Sequence, residues 1–166
     1  MIEVVNSEGL TIGVRRRSEV HDNPSLLHKV VHILVFNDAG NLLLQKRSMH
    51  KDVAPGKWDT SVGGHVSPGE NLNKAAMREM QEELGTVPEN ITPLYSYIYS
   101  DSHESELVFT YKCRGNGPFK FNRQEIDEIA FWKIDDIRQS IGSGVFSGHF
   151  EDEIMNYFSL QQEDTD

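Results

Sequence analysis

Cysteine and long apolar runs are scarce in this 166-residue chain. The single cysteine, Cys113, excludes an intrachain disulfide framework and suits a reducing compartment. The amino terminus shows no basic region followed by an apolar segment, and no stretch reaches the roughly 18 apolar residues of a membrane span. We therefore expect a cytoplasmic protein with no membrane partner.

Positive charge is also in short supply, since 16 Lys and Arg stand against 26 Asp and Glu, for a formal net charge of −10. Nucleic acids and anionic membranes are bound mainly through clustered Lys and Arg. A nucleic-acid polymer is therefore not an expected partner. A small phosphorylated substrate remains compatible, because bound divalent cations can reverse the local electrostatic field.

No internal repeat, linker or low-complexity segment interrupts the chain, so we expect one α+β domain over residues 1–166. A helix is predicted over Asn71–Leu84, ending at Gly85. A short helix is predicted over residues 135–140 and a last one over Phe150–Leu160, followed by a frayed tail. Apolar alternation and β-branched runs predict strands within residues 1–17, 29–37, 42–48, 58–62, 94–100, 106–112 and 129–134.

One stretch, from Gly64 to Thr86, concentrates the residues that carry chemistry. Its predicted helix places Glu79, Glu82 and Glu83 at spacing i, i+3 and i+4, within about 100° of arc. Like charges at that spacing destabilise a helix by roughly 0.2–0.5 kcal/mol per pair, and only Arg78 offers local relief. A hard cation, which takes oxygen ligands, is expected to neutralise them. The plainer alternative is a solvated acidic helix end.

The same stretch resembles the signature of the Nudix hydrolases, G-x5-E-x7-R-E-U-x-E-E-x-G-U, in which U is an apolar residue. Thr86, at the final apolar position, is the one departure. So many fixed glycine and polar positions in a short stretch are not expected by chance. The matching residues are Gly64, Glu70, Arg78, Glu79, Met80, Glu82, Glu83 and Gly85, of which Glu79, Glu82 and Glu83 are hereafter the box glutamates.

This resemblance implies an α/β/α sandwich around a mixed β-sheet, and hydrolysis of a diphosphate linkage in a small substrate. The box glutamates would bind Mg²⁺ or Mn²⁺, with the carbonyl of Gly64 as a further ligand. Glu70 and Arg78 would form an ion pair that holds the loop against the helix. The reaction would be metal-assisted attack of water on phosphorus.

The general base, which accepts the proton of the attacking water, varies within this family and often lies outside the signature. The acidic segment before the last predicted strand supplies Glu125, Asp127 and Glu128 as candidates. Glu82 and Glu83 are candidates as well. A solvated loop acid is the plainer interpretation of each of the first three, so the sequence leaves the base open.

A second resemblance, to the isopentenyl-diphosphate isomerase branch of the family, lies in the flanks of the signature. That branch binds a divalent metal through three histidines and two glutamates, in the pattern H-x6-H, W-x6-H and E-x-E. The alternative is that the two amino-terminal histidines form loop hydrogen bonds and that ancestry explains the rest. The matching residues, hereafter the histidine set and a candidate second metal shell, are His21, His28, His65, Glu104 and Glu106.

One departure argues against isomerase chemistry. The isomerases use a cysteine two residues before the third histidine, and that position is Gly63 here. Their Nudix signature is generally degraded, whereas this one is complete. Hydrolysis of a nucleoside diphosphate derivative or another small organic diphosphate is therefore the leading hypothesis. Isopentenyl-diphosphate isomerisation and a non-catalytic metal- or nucleotide-binding module are the alternatives.

The sequence leaves substrate identity and oligomeric state open. A homodimer is the default expectation. Residues 15–17 are three arginines that can meet a phosphate or end a solvated strand. Aromatic residues of predicted strands can stack on a nucleobase but more often belong to a core. The aromatic candidates are Trp58, Tyr95, Tyr97, Tyr99 and Trp132.

Overall fold

The computed structural model describes residues 1–165, which form a mixed β-sheet with helices on both faces. The strands are β1 (Ile2–Val5), β2 (Thr11–Arg15), β3 (Leu27–Phe36), β4 (Leu42–Arg47), β5 (Trp58–Asp59), β6 (Val62–His65), β7 (Thr92–Ser100), β8 (Ser105–Arg114) and β9 (Ile126–Trp132). The helices are α1 (Arg17–Val20), α2 (Leu72–Leu84), α3 (Ile134–Ser140) and α4 (Gly148–Glu163). The expected α+β class is confirmed.

Strand β3 organises the sheet, because it pairs with β8 in parallel and with β1 and β6 in antiparallel orientation. β7 pairs with β8, whereas β5 and β9 pair with β4. β3 and β4 themselves share one pair, Phe36 with Leu42, at the hairpin between them. The sheet therefore opens between the two short strands, because β5 pairs with β4 and β6 pairs with β3.

The two faces of β3 belong to two cores, since successive side chains of a strand point to opposite sides. Val31 and Ile33 pack in one core with Met80 of α2. Leu34 packs in the other with Phe150 of α4. A helical layer on each side of a mixed sheet confirms the expected α/β/α sandwich.

Helix α2 forms where the sequence predicts it. The side chain of Asn71 accepts backbone N–H hydrogen bonds from the first turn, and Gly85 ends the helix with a φ of 68°. Met80 and Leu84 are buried on its inner face, and Glu79 is buried beside them. This face therefore carries a carboxylate to the edge of the core.

The expected strand over residues 58–62 is two strands, β5 and β6, and the second continues to His65. Ser61 explains the break. Its hydroxyl accepts a hydrogen bond from the backbone N–H of Val35, 3.0 Å away, and donates one to the carbonyl of Leu43. The side chain thus stands between β3 and β4 and separates the two short strands.

Two further expectations are corrected at the ends of the chain. Residues 17–20 form helix α1, which was not predicted, since residue 17 was expected to end a strand. α4 continues to Glu163 instead of ending at Leu160, because Tyr157 and Phe158 anchor its carboxyl-terminal half in the core. The first three residues of the tail expected to fray, 161–163, are therefore helical, and Asp166 lies outside the described residues.

Cys113 lies in β8 and is buried, as expected for a small core residue. Burial raises the pKa of its thiol to about 11. Within residues 1–165, no helix combines the length and the apolar character needed to cross a lipid bilayer.

Candidate active site

A polar cavity of about 460 Å³ opens where β5 and β6 separate. Counted over residues 1–165, Val30 is the one apolar side chain among its lining residues. None of the five aromatic candidates lines it; Trp58 and Trp132, for example, pack against the core beneath α4. The predicted site residues that do line it are Gly64, Arg78, Glu79, Glu82, Glu83, Glu125, His21, His65, Glu104 and Glu106.

Gly64 lies against the carboxylate of Glu79. A Cβ atom at position 64 would come within 2.0 Å of the Glu79 carboxylate carbon, so only glycine leaves room for this side chain. Burial raises the pKa of Glu79, although contact with Arg78 acts in the opposite direction. The first and the second half of the signature are thereby brought into direct contact.

Arg78 connects the loop, the helix and strand β6. Its Nε and Nη2 donate to the two oxygens of Glu70, each at 2.9 Å, so the ion pair implied by the resemblance is present in bidentate form. Nη1 lies 2.6 Å from Glu79 Oε1 and 3.3 Å from Glu82 Oε2. Nη2 also donates to the carbonyl of His65 at 2.9 Å.

Glu83 is held by hydrogen bonds from strands β4 and β6. Its Oε2 accepts hydrogen bonds from the backbone N–H of Gly63 and the amide of Gln45, both at 3.2 Å. Burial and, second, the charge of Glu79 raise its pKa to about 8. Two neighbouring carboxyl groups that resist ionisation together fit the charge of a divalent cation, so the donor set suits the metal implied by the family.

The three candidate general bases of the acidic segment differ in whether they line the cavity. Glu125 lines the cavity, with its carboxylate 3.5 Å from the ammonium group of Lys51. Asp127 and Glu128 are exposed on β9 and do not line the cavity. Asp127 accepts a hydrogen bond from the backbone N–H of Met49. The pairing of β9 with β4 therefore leaves Asp127 and Glu128 outside the cavity, which favours Glu125 among the three.

Three members of the histidine set converge although they lie on three strands. His28 is opposite Glu106 in the β3–β8 register, and His65 is opposite Val30 in the β3–β6 register. The ligand atoms of His28, His65 and Glu106 lie within 4.8 Å of one another. His28 Nδ1 lies 3.4 Å from the carbonyl oxygen of Leu26.

The other ring nitrogen of His28, Nε2, is buried and has no hydrogen-bond partner within residues 1–165. A buried polar atom without a partner costs free energy, so its environment fits a bound cation. Burial and, second, the charge of His28 lower the pKa of His65 to about 4. His65 is therefore neutral at pH 7, which is the form that binds metals.

The remaining two members lie at the edge of this group. Nε2 of His21, which follows α1, is 3.3 Å from Nε2 of His65. Glu104 lines the cavity, but it belongs to neither of the two groups of close ligand atoms found within residues 1–165. Burial and, second, Glu106 raise the pKa of Glu104.

The second group of close ligand atoms, from His32, Glu106 and His149, was missed by the sequence reasoning. Nδ1 of His32 lies 2.8 Å from Oε1 of the fully buried Glu153. The sequence carried a signal for His32 and for its partner Glu153. His32 follows His28 at even spacing in an apolar strand, and Glu153 interrupts the apolar face of α4 beside Phe150.

Cationic side chains line the same cavity. Of the three arginines at residues 15–17, only Arg17 does so. Arg47 lies 3.3 Å from Asp59, and Lys51 pairs with Glu125. Carboxylates beside cationic groups in a polar cavity are the groups that an enzyme needs to act on a phosphorylated substrate with a divalent cation.

Comparison with known proteins specifies the family. Residues 26–149, well over half of the chain, match the family model described as the NUDIX domain, and the chain belongs to the Nudix family. Nudix hydrolases generally use divalent metal ions, and the family assignment supports hydrolysis of a diphosphate linkage.

Its relatives include proteins of both kinds considered above. An isopentenyl-diphosphate Delta-isomerase of Streptomyces avermitilis is 31% identical over 156 residues, which cover 90% of this chain and 79% of the relative. A Nudix hydrolase of Yersinia pestis is 29% identical over 133 residues, covering 80% and 72%. The crystal structure of DR0079 from Deinococcus radiodurans aligns with a TM-score of 0.81 and 25% identity, over 93% of this chain and 97% of that one.

Proposed function

We propose that this protein is a Mg²⁺- or Mn²⁺-dependent hydrolase of the diphosphate linkage in a nucleoside diphosphate derivative or another small organic diphosphate. One observation carries the proposal. Gly64, Arg78 and the box glutamates of the Nudix signature line the same polar cavity as three further cationic side chains, Arg17, Arg47 and Lys51. Such a cavity provides ligands for a cation and for phosphate oxygens at once.

The box glutamates and the Gly64 carbonyl are the proposed cation ligands, and Arg78 keeps the glutamates in place. A bound divalent cation neutralises charge on phosphate oxygens and lowers the pKa of water. Arg17, Arg47 and Lys51 bind the phosphate groups. When Lys51 turns from Glu125 to a phosphate, Glu125 loses its ion pair and is free to accept the proton of the attacking water.

The histidine set is proposed as a second metal shell, with His28, His65 and Glu106 as ligands and His21 and Glu104 beside them. The unpartnered Nε2 of the fully buried His28 supports this assignment. Imidazole and carboxylate ligands suit a borderline divalent cation such as Mn²⁺ or Zn²⁺. Because the ligands come from β3, β6 and β8, such an ion would also tie these strands together.

Two observations disfavour isomerase activity. The position of the isomerase cysteine is Gly63, and a Cβ atom there would lie 3.1 Å from the His32 ring, a close contact for any side chain. Val30 is also the one apolar side chain lining the cavity within residues 1–165, which leaves little surface for a hydrocarbon chain.

The binding-module alternative is disfavoured because no acid of the box is missing and the three box glutamates all line the cavity. The proposal also includes a cytoplasmic location and a homodimer. Light scattering on the purified protein tests the dimer.

The deciding experiment is a substrate panel with and without Mg²⁺ or Mn²⁺. Nucleoside di- and triphosphates, dinucleoside polyphosphates, nucleotide sugars and isopentenyl diphosphate are incubated with the protein, and products are separated by chromatography. Metal-dependent cleavage of a diphosphate linkage, abolished by a chelator, is expected. Formation of the allylic isomer from isopentenyl diphosphate, or no turnover of any compound, would overturn the proposal.

A further inference from the structure

The carboxylate of Glu106 faces two separate groups of imidazoles. Its Oε1 is 3.7 Å from His28 Nε2, whereas its Oε2 accepts a hydrogen bond from His149 Nε2. Glu106 is thus the one residue common to both groups of close ligand atoms found within residues 1–165. A carboxylate with one oxygen toward each of two sites has the geometry of a bridge between two cations.

His32 is held through one ring nitrogen, which leaves the other available as a ligand. Its Nδ1 pairs with Glu153, whose carboxylate also accepts hydrogen bonds from Thr110 Oγ1 at 2.7 Å and from the Tyr95 hydroxyl at 2.6 Å. A carboxylate on one imidazole nitrogen fixes the tautomer, so that the other nitrogen has a free lone pair. That other nitrogen, Nε2, lies 3.3 Å from where a Cβ atom of residue 63 would be, so Gly63 leaves it uncovered.

His149, at the start of α4, is also restrained, in this case by ring stacking. Its ring stacks on Tyr99 with centroids 4.0 Å apart, and it lies 4.6 Å from the His32 ring. His149 lines the cavity, and its Nδ1 is buried without a hydrogen-bond partner in the described part of the chain. Two restrained imidazoles and a shared carboxylate therefore meet at the wall of the cavity.

We propose that a further divalent transition cation binds at His32, Glu106 and His149, with Glu106 shared between this ion and the one assigned to the histidine set. The donor set, two imidazoles and one carboxylate, suits divalent transition cations such as Zn²⁺, Co²⁺ or Mn²⁺ better than Ca²⁺, which takes oxygen ligands. The cavity gives the ion access from solvent. Carboxylate-bridged ions in proteins lie roughly 3.5–4 Å apart.

Metal counting tests the proposal without reference to turnover. The whole protein is stripped with a chelator and titrated with Co²⁺, and bound metal is measured by calorimetry and elemental analysis. The wild type is expected to bind one equivalent more than His149→Phe, a variant that keeps the ring stacked on Tyr99. His103→Phe, which changes an exposed histidine outside the cavity, is expected to match the wild type.

Electron paramagnetic resonance of the Mn²⁺-loaded wild type gives an answer that does not depend on the folding of any variant. Two ions bridged by Glu106 are expected to show exchange coupling, and His149→Phe is expected to show only uncoupled Mn²⁺. An uncoupled wild-type spectrum, or equal metal content in the wild type and a folded His149→Phe, would overturn the bridged site. Because no readout uses substrate, this outcome and a failure of the hydrolase proposal are distinguishable.

Discussion

Strand β6 lies between two polar regions that differ in how their charges are balanced and in which segments supply their residues. On one side, Gly64 meets Glu79 of the Nudix box, and Arg78 compensates the acids. On the other, Gly63 meets His32, and the charges are those of imidazoles and carboxylates. The box is local in the sequence and depends on one guanidinium group. The histidine side depends on long-range pairing of strands and on α4.

This difference gives each region a different sensitivity. The box glutamates reach the cavity from one helix, so a substitution there removes a ligand while the fold remains. The histidine side contains residues that are also part of the core, such as the fully buried His28 and Glu153. Substitutions on that side are expected to change stability and metal content together.

The largest expected effect is on turnover at the box. Glu82→Gln should lower kcat by roughly 10²-fold or more, since it removes a charged cation ligand, whereas the melting temperature should stay close to that of the wild type. The Glu82 side chain is 58% exposed, so little packing is lost. Steady-state kinetics and circular dichroism measure both quantities. Glu128→Gln, exposed and outside the cavity, is the matched control, and equal kcat in the two variants would remove Glu82 from the mechanism.

The two glycines of β6 offer the most direct comparison of the two sides. Gly64→Ala should cost about 1–3 kcal/mol in the free energy of unfolding, since the new Cβ would displace the buried Glu79 carboxylate from Arg78. Gly63→Ala should cost less, because its Cβ lies 3.1 Å from the nearest His32 atom. Urea denaturation measures both, and the reverse order would contradict the packing described here.

Glu153→Gln tests how strongly the histidine side depends on α4. The substitution keeps the shape but turns an amide toward His32, Thr110 or Tyr95, so it should destabilise the protein by about 1–3 kcal/mol. Asp152→Asn, an exposed change on the same helix, should be neutral. Urea denaturation of both variants is the measurement. If Glu153→Gln has the same free energy of unfolding as the wild type, the hydrogen bonds to Glu153 do not stabilise the fold.

The smallest expected effect is on KM, through the cationic side chains that line the cavity. Lys51→Met should raise KM by about 10-fold, because one charge-assisted contact to phosphate is lost. It should leave folding unchanged, and Lys74→Met, on the exposed face of α2, should leave KM unchanged as well. KM is measured by steady-state kinetics on the panel substrate with the highest turnover. No change in KM for Lys51→Met would remove Lys51 from phosphate binding.

Local signals made the box predictable. Asn71 and Gly85 delimit α2, and the spacing of the acids in between follows from helical periodicity. The histidine set was reached through resemblance only, because His28 and Glu106 are far apart in the chain. His149 carried no signal, since nothing in its neighbourhood indicates that α4 would bring it to Glu106.

The sequence by itself determined the family, the helix that carries the box glutamates and the ion pair between Glu70 and Arg78, because these depend on residues within one or two turns or on a short motif. Only the tertiary structure decided that Glu125 reaches the cavity and Glu128 does not, and that His32 and His149 meet at Glu106. The positions of Glu125, Glu128 and His32 depend on the registers of β3 with β8 and of β4 with β9, and that of His149 depends on how α4 packs on the sheet. Strand registers join distant segments, and the local pattern of either segment does not specify them.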